Sequence, residues 1–334
     1  MRNHRVTLSK IAQYAGTSVN TVSLALRDSQ RISVHNRQRI QQLAKELGYV
    51  PNYAAQALVS SKSGIIGIYA HSLYDAVRVA FVDHLITELH TQNYKPMLAL
   101  GKGHDGPWYT SPWMQSFQSL NVDAIIVVAE EYGRVPDWHI DKPAIFVACQ
   151  PYGDLKCDYL ALDRKEAARI GIEHLLACGH ENILVACTGD SLDFEGGAAE
   201  SLEAEGLKFE KFVLACDSDL ELLVDRLVHG PNRPSAVLSG DSPIAADLIR
   251  RLRSRSIAIP GDVAIAGYDY LPWADQVSVP LTTIEQPIEK LARDSVQTVK
   301  RRLDNPAGPF VRKVYKHNLC VRESTCGGGH KREP

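Results

Sequence analysis

Six side chains near the start of the sequence have the types and spacing to read DNA: Ser18, Val19, Asn20, Ser23, Leu24 and Arg27. An asparagine offers an adenine edge both a donor and an acceptor. Small apolar groups meet thymine methyls, and arginine neutralises phosphate. Two other patterns invite chemistry and carry less. Gly101-Lys-Gly103-His-Asp-Gly106 is a literal GxGxxG after an apolar run, with Asp123 where a ribose hydroxyl would be met. However, Pro107-Trp108 and Ser111-Pro112 follow at once, so no helix N-terminus opens to hold a pyrophosphate, and the segment reads as a surface loop. His174 and His180 stand six residues apart around a helix end at Gly179 and read as capping and packing residues rather than metal ligands. No Ser/His/Asp or paired-carboxylate arrangement stands at motif spacing, so neither catalysis, cofactor nor metal is expected.

The elements that must position the first cluster follow from apolar spacing. Leu8, Ile11, Ala12 and Ala15 fall on one helical face. Gly16 permits the positive φ of a turn, and Ser18 is a good N-cap for a second helix. Val22, Ala25 and Leu26 then point inward, which leaves Val19, Asn20, Ser23 and Leu24 outward near the helix N-terminus. A third helix over 34–47 turns Ile40, Leu43, Ala44 and Leu47 inward and closes at Gly48. This is the pattern of a helix-turn-helix, whose second helix enters the major groove. A three-helix bundle with no nucleic-acid role has the same apolar pattern, and charge separates the two. Residues 1–62 hold nine Lys/Arg and two acids, a surplus of +7; the remainder holds 28 Lys/Arg and 37 acids, or −9. The net charge of −2 thus hides a basic head on an acidic body, and such a head supplies the phosphate contacts on which DNA affinity rests.

At 334 residues and 45% hydrophobic content the chain can build two to three domains. It has no run of 18 apolar residues, and its start, Met-Arg-Asn-His-Arg, lacks a signal-peptide core, so a cytoplasmic protein, nucleoid-associated when bound, is expected. Seven cysteines, with no CxxC pair, read as free thiols in a reducing compartment. Residues 49–62 read as a hinge, where a segment after Pro51-Asn52 is too short to be helical alone and orders when something packs on it. From Ile65 onward apolar runs alternate with amphipathic helices. Buried parallel strands are expected at 65–70, 95–100, 124–129 and 144–148, and the series repeats with strands at 159–162, 182–186, 211–215, 236–239 and 263–267. Helices are expected at 76–93, 166–178, 197–205, 219–228 and 243–255. A helix at 288–303 and one strand at 312–321 complete the series, with a disordered tail at 325–334. The fold class is therefore an all-α head plus a two-lobed α/β core with parallel sheets.

Val6–Ser23, Tyr49-Val-Pro-Asn52, Glu173-His-Leu-Leu-Ala-Cys-Gly-His180, Ile259-Pro-Gly-Asp-Val-Ala-Ile-Ala-Gly-Tyr-Asp269 and Leu281-Thr-Thr-Ile-Glu-Gln-Pro287 together resemble the LacI/GalR (lactose repressor) family of bacterial transcription regulators. The resemblance runs from about 6 to 324. It implies a helix-turn-helix domain at 1–48, a hinge at 49–62, and a periplasmic-binding-protein-like core at 63–324. The lobes would be 63–162 plus 291–320 and 163–290 plus 321–324. It further implies a homodimer on pseudo-palindromic operator DNA, with Thr7, Thr17, Ser18, Val19, Asn20, Ser23, Leu24, Arg27 and Arg31 against it. Hinge residues Asn52, Ala55 and Gln56 join them, and Leu58 stands where a leucine wedges into the central base step. No membrane partner is implied.

Departures from the family bear on both sites. Leu24 stands where arginine is frequent, so the operator should differ from those read by an arginine. Phe194 replaces the arginine of an Arg-x-x-Gly pattern, and Ala148 replaces a frequent acid. What remains in the cleft is Asp269, Asp241, Asp163 and the loop His71-Ser72-Leu73-Tyr74; the effector candidates are His71, Tyr74, Phe194, Asp241 and Asp269, for a small effector of the sugar or sugar-derivative class. Three readings are carried forward: a repressor of carbohydrate-related genes, a regulator of this fold without a conventional sugar effector, and a cytoplasmic sugar-binding protein. An α/β enzyme of carbohydrate metabolism lacks residues to carry it.

Overall fold

The computed structural model describes residues 6–49, 62–73, 76–101, 111–128, 142–148, 157–188, 192–230, 232–268 and 273–326. The chain divides into two compact units, Met1–Ser63 and Gly64–Pro334. In the first, α1 (Leu8–Ala15), α2 (Val19–Leu26) and α3 (Val34–Glu46) pack around Ile11, Ala12, Ala15, Val22, Ala25, Ile40 and Ala44. Alanine at four of those seven positions lets the helices approach closely. Each helix begins on a hydroxyl cap: Thr7 accepts from the Lys10 amide, Ser18 from Thr21 and Ser33 from Asn36. Gly16 closes α1 at φ +63°.

The second unit carries two six-stranded sheets. The first has the order β11-β5-β4-β3-β1-β2, from β1 (Ile65–Ala70), β2 (Lys95–Leu100), β3 (Ala124–Val128), β4 (Ala144–Val147), β5 (Asp158–Leu162) and β11 (Arg312–Tyr315), all parallel. Alternate residues feed two cores. Ile66, Ile68, Ile126 and Val147 pack on α4 (Ala76–Thr91) and α10 (Ile288–Asp304), while Tyr69, Ile125, Val127 and Phe146 pack on α5 (Pro112–Ser119). Burial on both faces is why these strands read as continuous apolar runs. β2 differs from the expectation of a buried strand: it is the sheet edge, and only Ala99 is buried in it.

The other sheet has the order β12-β10-β9-β8-β6-β7, built from β6 (Ile183–Thr188), β7 (Glu210–Leu214), β8 (Ala236–Ser239), β9 (Ala264–Tyr268), β10 (Thr282–Glu285) and β12 (Asn318–Cys320). Only β12 runs antiparallel, against β10. α6 (Arg164–Ala177) and α7 (Leu192–Ala204) cover one face, and α8 (Asp217–His229) and α9 (Ser242–Ser254) the other. Glycines set the closeness of α6: a Cβ on Gly171 would lie 2.6 Å from Leu238, and one on Gly197 would lie 2.4 Å from the Lys165 carbonyl oxygen.

The chain crosses between lobes three times: from β5 into α6, from β10 into α10, and from β11 into β12. The last crossing corrects two expectations. The single strand at 312–321 is two strands in different sheets, split at Lys316-His317, so 318–320 belongs with the second lobe rather than the first. Likewise α10 starts at Ile288, whose side chain lies in the first lobe's core, so that lobe gains 288–290. The tail expectation is also corrected at Thr325, which is 2% exposed and bonded through its hydroxyl to Thr282 at 2.8 Å. Among the described residues no helix is long and apolar enough to cross a membrane.

Candidate nucleic-acid interface and interlobe site

α2 shows the burial pattern that its apolar spacing requires. Val22 and Ala25 are fully buried, Val19 and Asn20 are exposed, and Ser23 and Leu24 are half-buried. The Ser18 hydroxyl lies 2.9 Å from Thr21 Oγ1 as it caps the helix. Thr7, Arg27 and Arg31 are exposed and Thr17 half-buried on the same unit. Not all the basic residues of the head are equally available. Arg37 pairs with Asp28 at 2.8 Å and donates to the Ser29 carbonyl, while Arg39 donates to the Ala15 carbonyl at 2.7 Å. Those two arginines hold the chain ends of α1 and α2, whereas Arg27 and Arg31 carry no such tie in the bonds described. Asn52, Ala55, Gln56 and Leu58 lie outside the described residues.

The three crossings leave the carboxyl ends of parallel strands, where α/β folds bind ligands. Side chains from all three crossings meet there in a cluster that no sequence motif marks. Tyr268 ends β9 and is 2% exposed. Its hydroxyl lies 3.3 Å from His317 Nε2, on the third crossing, and accepts from Gln286 Nε2, on the second, at 3.3 Å. Its ring packs 5.1 Å from that of Phe194, and the Arg164 guanidinium, on the first crossing, sits 5.5 Å above it. Five separate segments supply these groups, and no local spacing announces them.

The expected cleft residues fare unevenly. Phe194 is fully buried against Tyr268 rather than presented for stacking, because α7 begins at Leu192, five residues before the expected start, and turns Phe194 into the core. Asp241 is half-buried, and its Oδ1 accepts from the Ile244 amide at 2.9 Å as the cap of α9. His71 is exposed just past β1. Its loop is pinned by the buried Arg78, which donates to Ser72 Oγ at 2.7 Å. Ala148, just past β4, has φ +74°, a conformation that costs a residue with a Cβ and that tends to persist at ligand sites. Tyr74 and Asp269 lie outside the described residues. Asp123 binds the Gly64 amide at 2.8 Å, joining β1 to β3, and Gly101 exists to admit Tyr69, whose hydroxyl a Cβ there would meet at 2.0 Å. Both features of the GxGxxG segment that can be described thus have structural reasons.

His317 makes the interlobe cluster sensitive to pH. Burial pushes its imidazole down to about 4 from the ordinary 6.5; Asp163 raises it and Arg164 lowers it by smaller amounts. Its Nδ1 is buried with no hydrogen-bond partner among the described residues. The unfolded chain therefore takes up this proton first as pH falls. The associated stability is whole above pH 6.5 and drains as pH drops toward 4, by about 3 kcal/mol in all. Denaturant titrations between pH 7 and 4 should show that loss, and His317→Gln should remove this component of it.

Residues 7–52 match the model of bacterial regulatory proteins, lacI family, and residues 172–325 match a periplasmic binding protein-like domain. The HTH-type transcriptional regulator PtxS of Pseudomonas plecoglossicida is 28% identical over 333 residues, covering 96% of each chain. The lac repressor dimer bound to operator and the anti-inducer ONPF superposes with a TM-score of 0.81 at 20% identity, over 97% of this chain and all of that one. The complex of the transcriptional regulator CelR with cellobiose gives 0.66 at 22% identity, over 96% and 100%. At these identities the likeness to the solved structures concerns the fold: a helix-turn-helix unit and a two-lobed α/β unit in one chain.

Proposed function

The chain belongs to the lacI family of bacterial regulatory proteins, and from that premise we propose a homodimeric repressor whose hold on a pseudo-palindromic operator is set by a small ligand between its lobes. The observation that carries this reading is α2, with Val19 and Asn20 exposed at the N-terminal end of a helix in a unit that is basic while the rest of the chain is acidic. Asn20 pairs with an adenine edge, Val19 and Leu24 meet thymine methyls, and Arg27 and Arg31 take phosphates. Dimerisation completes the reader, since two half-sites need two heads. Val79, Leu98 and Leu100 remain exposed on α4 and the edge strand β2 and are apolar surface for a second copy to cover. The protein acts where the chromosome is, and binding rather than turnover is its activity.

The effector is a small polar molecule of the sugar or sugar-derivative class, held beside the Tyr268, His317, Gln286 and Arg164 cluster. All three crossings meet there, so a ligand that prefers one lobe arrangement shifts the equilibrium between arrangements. CelR, of the same fold, is known in complex with cellobiose. With Phe194 turned into the core, Arg164 is the cation nearest this cluster among the described contacts.

Selection from random-sequence duplexes, followed by anisotropy titration at several salt concentrations, tests the DNA reading. Enrichment of inverted repeats with a steep salt slope supports it; binding with no preference among sequences overturns it. Leu58→Ala should weaken binding to the selected operator and leave the dimer intact, as measured by sedimentation. A thermal-shift screen of neutral sugars, sugar acids and nucleobases then tests the effector class.

A further inference from the structure

Where α6 ends, three side chains with metal-ligating atoms converge. His174 and Cys178 are four residues apart, on one side of the last helical turn. Cys326 arrives from 148 residues further on, and its sulfur is in disulfide contact with that of Cys178, where free thiols were expected. His174 Nε2 lies 3.8 Å from Cys178 Sγ, and the three donor atoms all fall within 4.8 Å of one another. Among the described residues no other three histidines, cysteines or acids come together in this way.

Cys326 is delivered by a built segment. The Thr282 amide donates to Ser324 Oγ at 2.8 Å, and the Ile265 amide donates to the Ser324 carbonyl at 2.8 Å. Thr325 Oγ1 meets both Thr282 Oγ1 and His174 Nε2 at 2.8 Å. The segment is therefore tied to β9, β10 and α6 just before the cysteine, and the Thr325 hydroxyl must release His174 Nε2 for that nitrogen to ligate.

We propose that in the reduced chain His174, Cys178 and Cys326 form a site for a soft divalent cation of the zinc class, with the fourth tetrahedral position open to water. Thiolate with imidazole is the donor set zinc favours, at about 2.3 Å to sulfur and about 2.0–2.1 Å to nitrogen. Tetrahedral geometry at those lengths sets donors roughly 3.5–3.8 Å apart, which the His174–Cys178 pair already satisfies. The sulfurs must part. A thiol reductant supplies the two electrons and two protons that convert the disulfide to two thiols, and the cation then displaces those two protons. A chromosome-bound regulator works among reducing thiols, so on the function proposed above the open pair is the resident form. All three side chains are half-buried, which leaves a route of entry. The bound cation would cross-link the C-terminal segment to α6, the helix that receives the first crossing between lobes.

The test uses the full chain, reduced with a phosphine, freed of metal and titrated with Co2+. One equivalent per chain is expected, with thiolate-to-cobalt charge-transfer absorption that Zn2+ abolishes by displacement. Cys326→Ser should bring the stoichiometry to zero at the same concentrations. His174→Ala should keep a thiolate signal but weaken cobalt binding at least tenfold, and Cys216→Ser, at an exposed site away from the cluster, should change nothing. Circular dichroism and the thermal transition of Cys326→Ser and of Cys178→Ser establish that the variants are folded. The proposal is overturned if the reduced chain takes up no cobalt, in which case the pair is a disulfide only, or if Cys326→Ser binds it as the unaltered chain does.

Discussion

Ile40→Ala is expected to unfold the head and abolish DNA binding while the two-lobed body keeps its thermal transition. The fully enclosed part of the head's core holds four alanines and three larger side chains, Ile11, Val22 and Ile40, each buried to within 1%, with Leu8, Leu26, Leu43 and Leu47 half-buried around them. Truncating a buried isoleucine to alanine costs about 2–5 kcal/mol. A single core in a unit this small supplies no more than about 3–5 kcal/mol of net stability. The substitution therefore consumes most or all of it. Calorimetry should show the body's transition in place, because the body keeps its own cores, and anisotropy should show no operator binding. Retention of full affinity would mean that the head draws its stability from elsewhere.

The second large effect lies in the body. Arg302 near the end of α10 and Asp158 at the start of β5 form a buried bidentate pair, with contacts of 2.8 and 2.9 Å and side chains 8% and 3% exposed. Asp158 also accepts from the Val311 amide at 2.7 Å, and Arg302 donates to the carbonyls of Pro306 and Gly308. One ion pair thus fastens the edge strand β11, the helix end and the turn between them. Removing one partner leaves a buried charge without its counterion, at a cost of about 3–5 kcal/mol. Asp158→Ala or Arg302→Ala should lower the body's Tm by roughly 2–4 °C for each kcal/mol lost. Replacing both with Leu and Met should cost less than either single change, since no charge is then stranded. β11 leads directly into the third crossing, so the single variants should also blunt any response of DNA affinity to effector.

What the sequence made legible was what is written locally. The caps at Thr7 and Ser18, the turn at Gly16 and the inward face of α2 all follow from residues within one helical turn of each other. The strand–helix alternation was legible because both sheets are covered on two faces. Phe194 stands where the family carries an arginine, but the helix expected at 197 begins at Leu192 and turns it into the core, and Gly197 is required there because the Lys165 backbone leaves no room for a Cβ. The strand at 312–321 looked continuous because a change of sheet at Lys316-His317 leaves no glycine or proline as a mark. The cluster of Arg164, Tyr268, Gln286 and His317 was invisible for a related reason: each member sits alone in its own segment, and only topology brings them together. The Cys178–Cys326 contact belongs with it, because a chain end that looks like a glycine-rich tail is anchored by two buried hydroxyl residues, Ser324 and Thr325.

The central claim is that α2 reads base sequence. It is tested most directly by titrating the full chain and Asn20→Ala on the selected operator and on single-base variants of it, at fixed salt. Asn20→Ala should lose about 1–3 kcal/mol on the selected operator, roughly fivefold to 150-fold in Kd. The variant should also become indifferent to one adenine position that the unaltered chain requires. An equal loss on every duplex, or no loss on any, would contradict the claim.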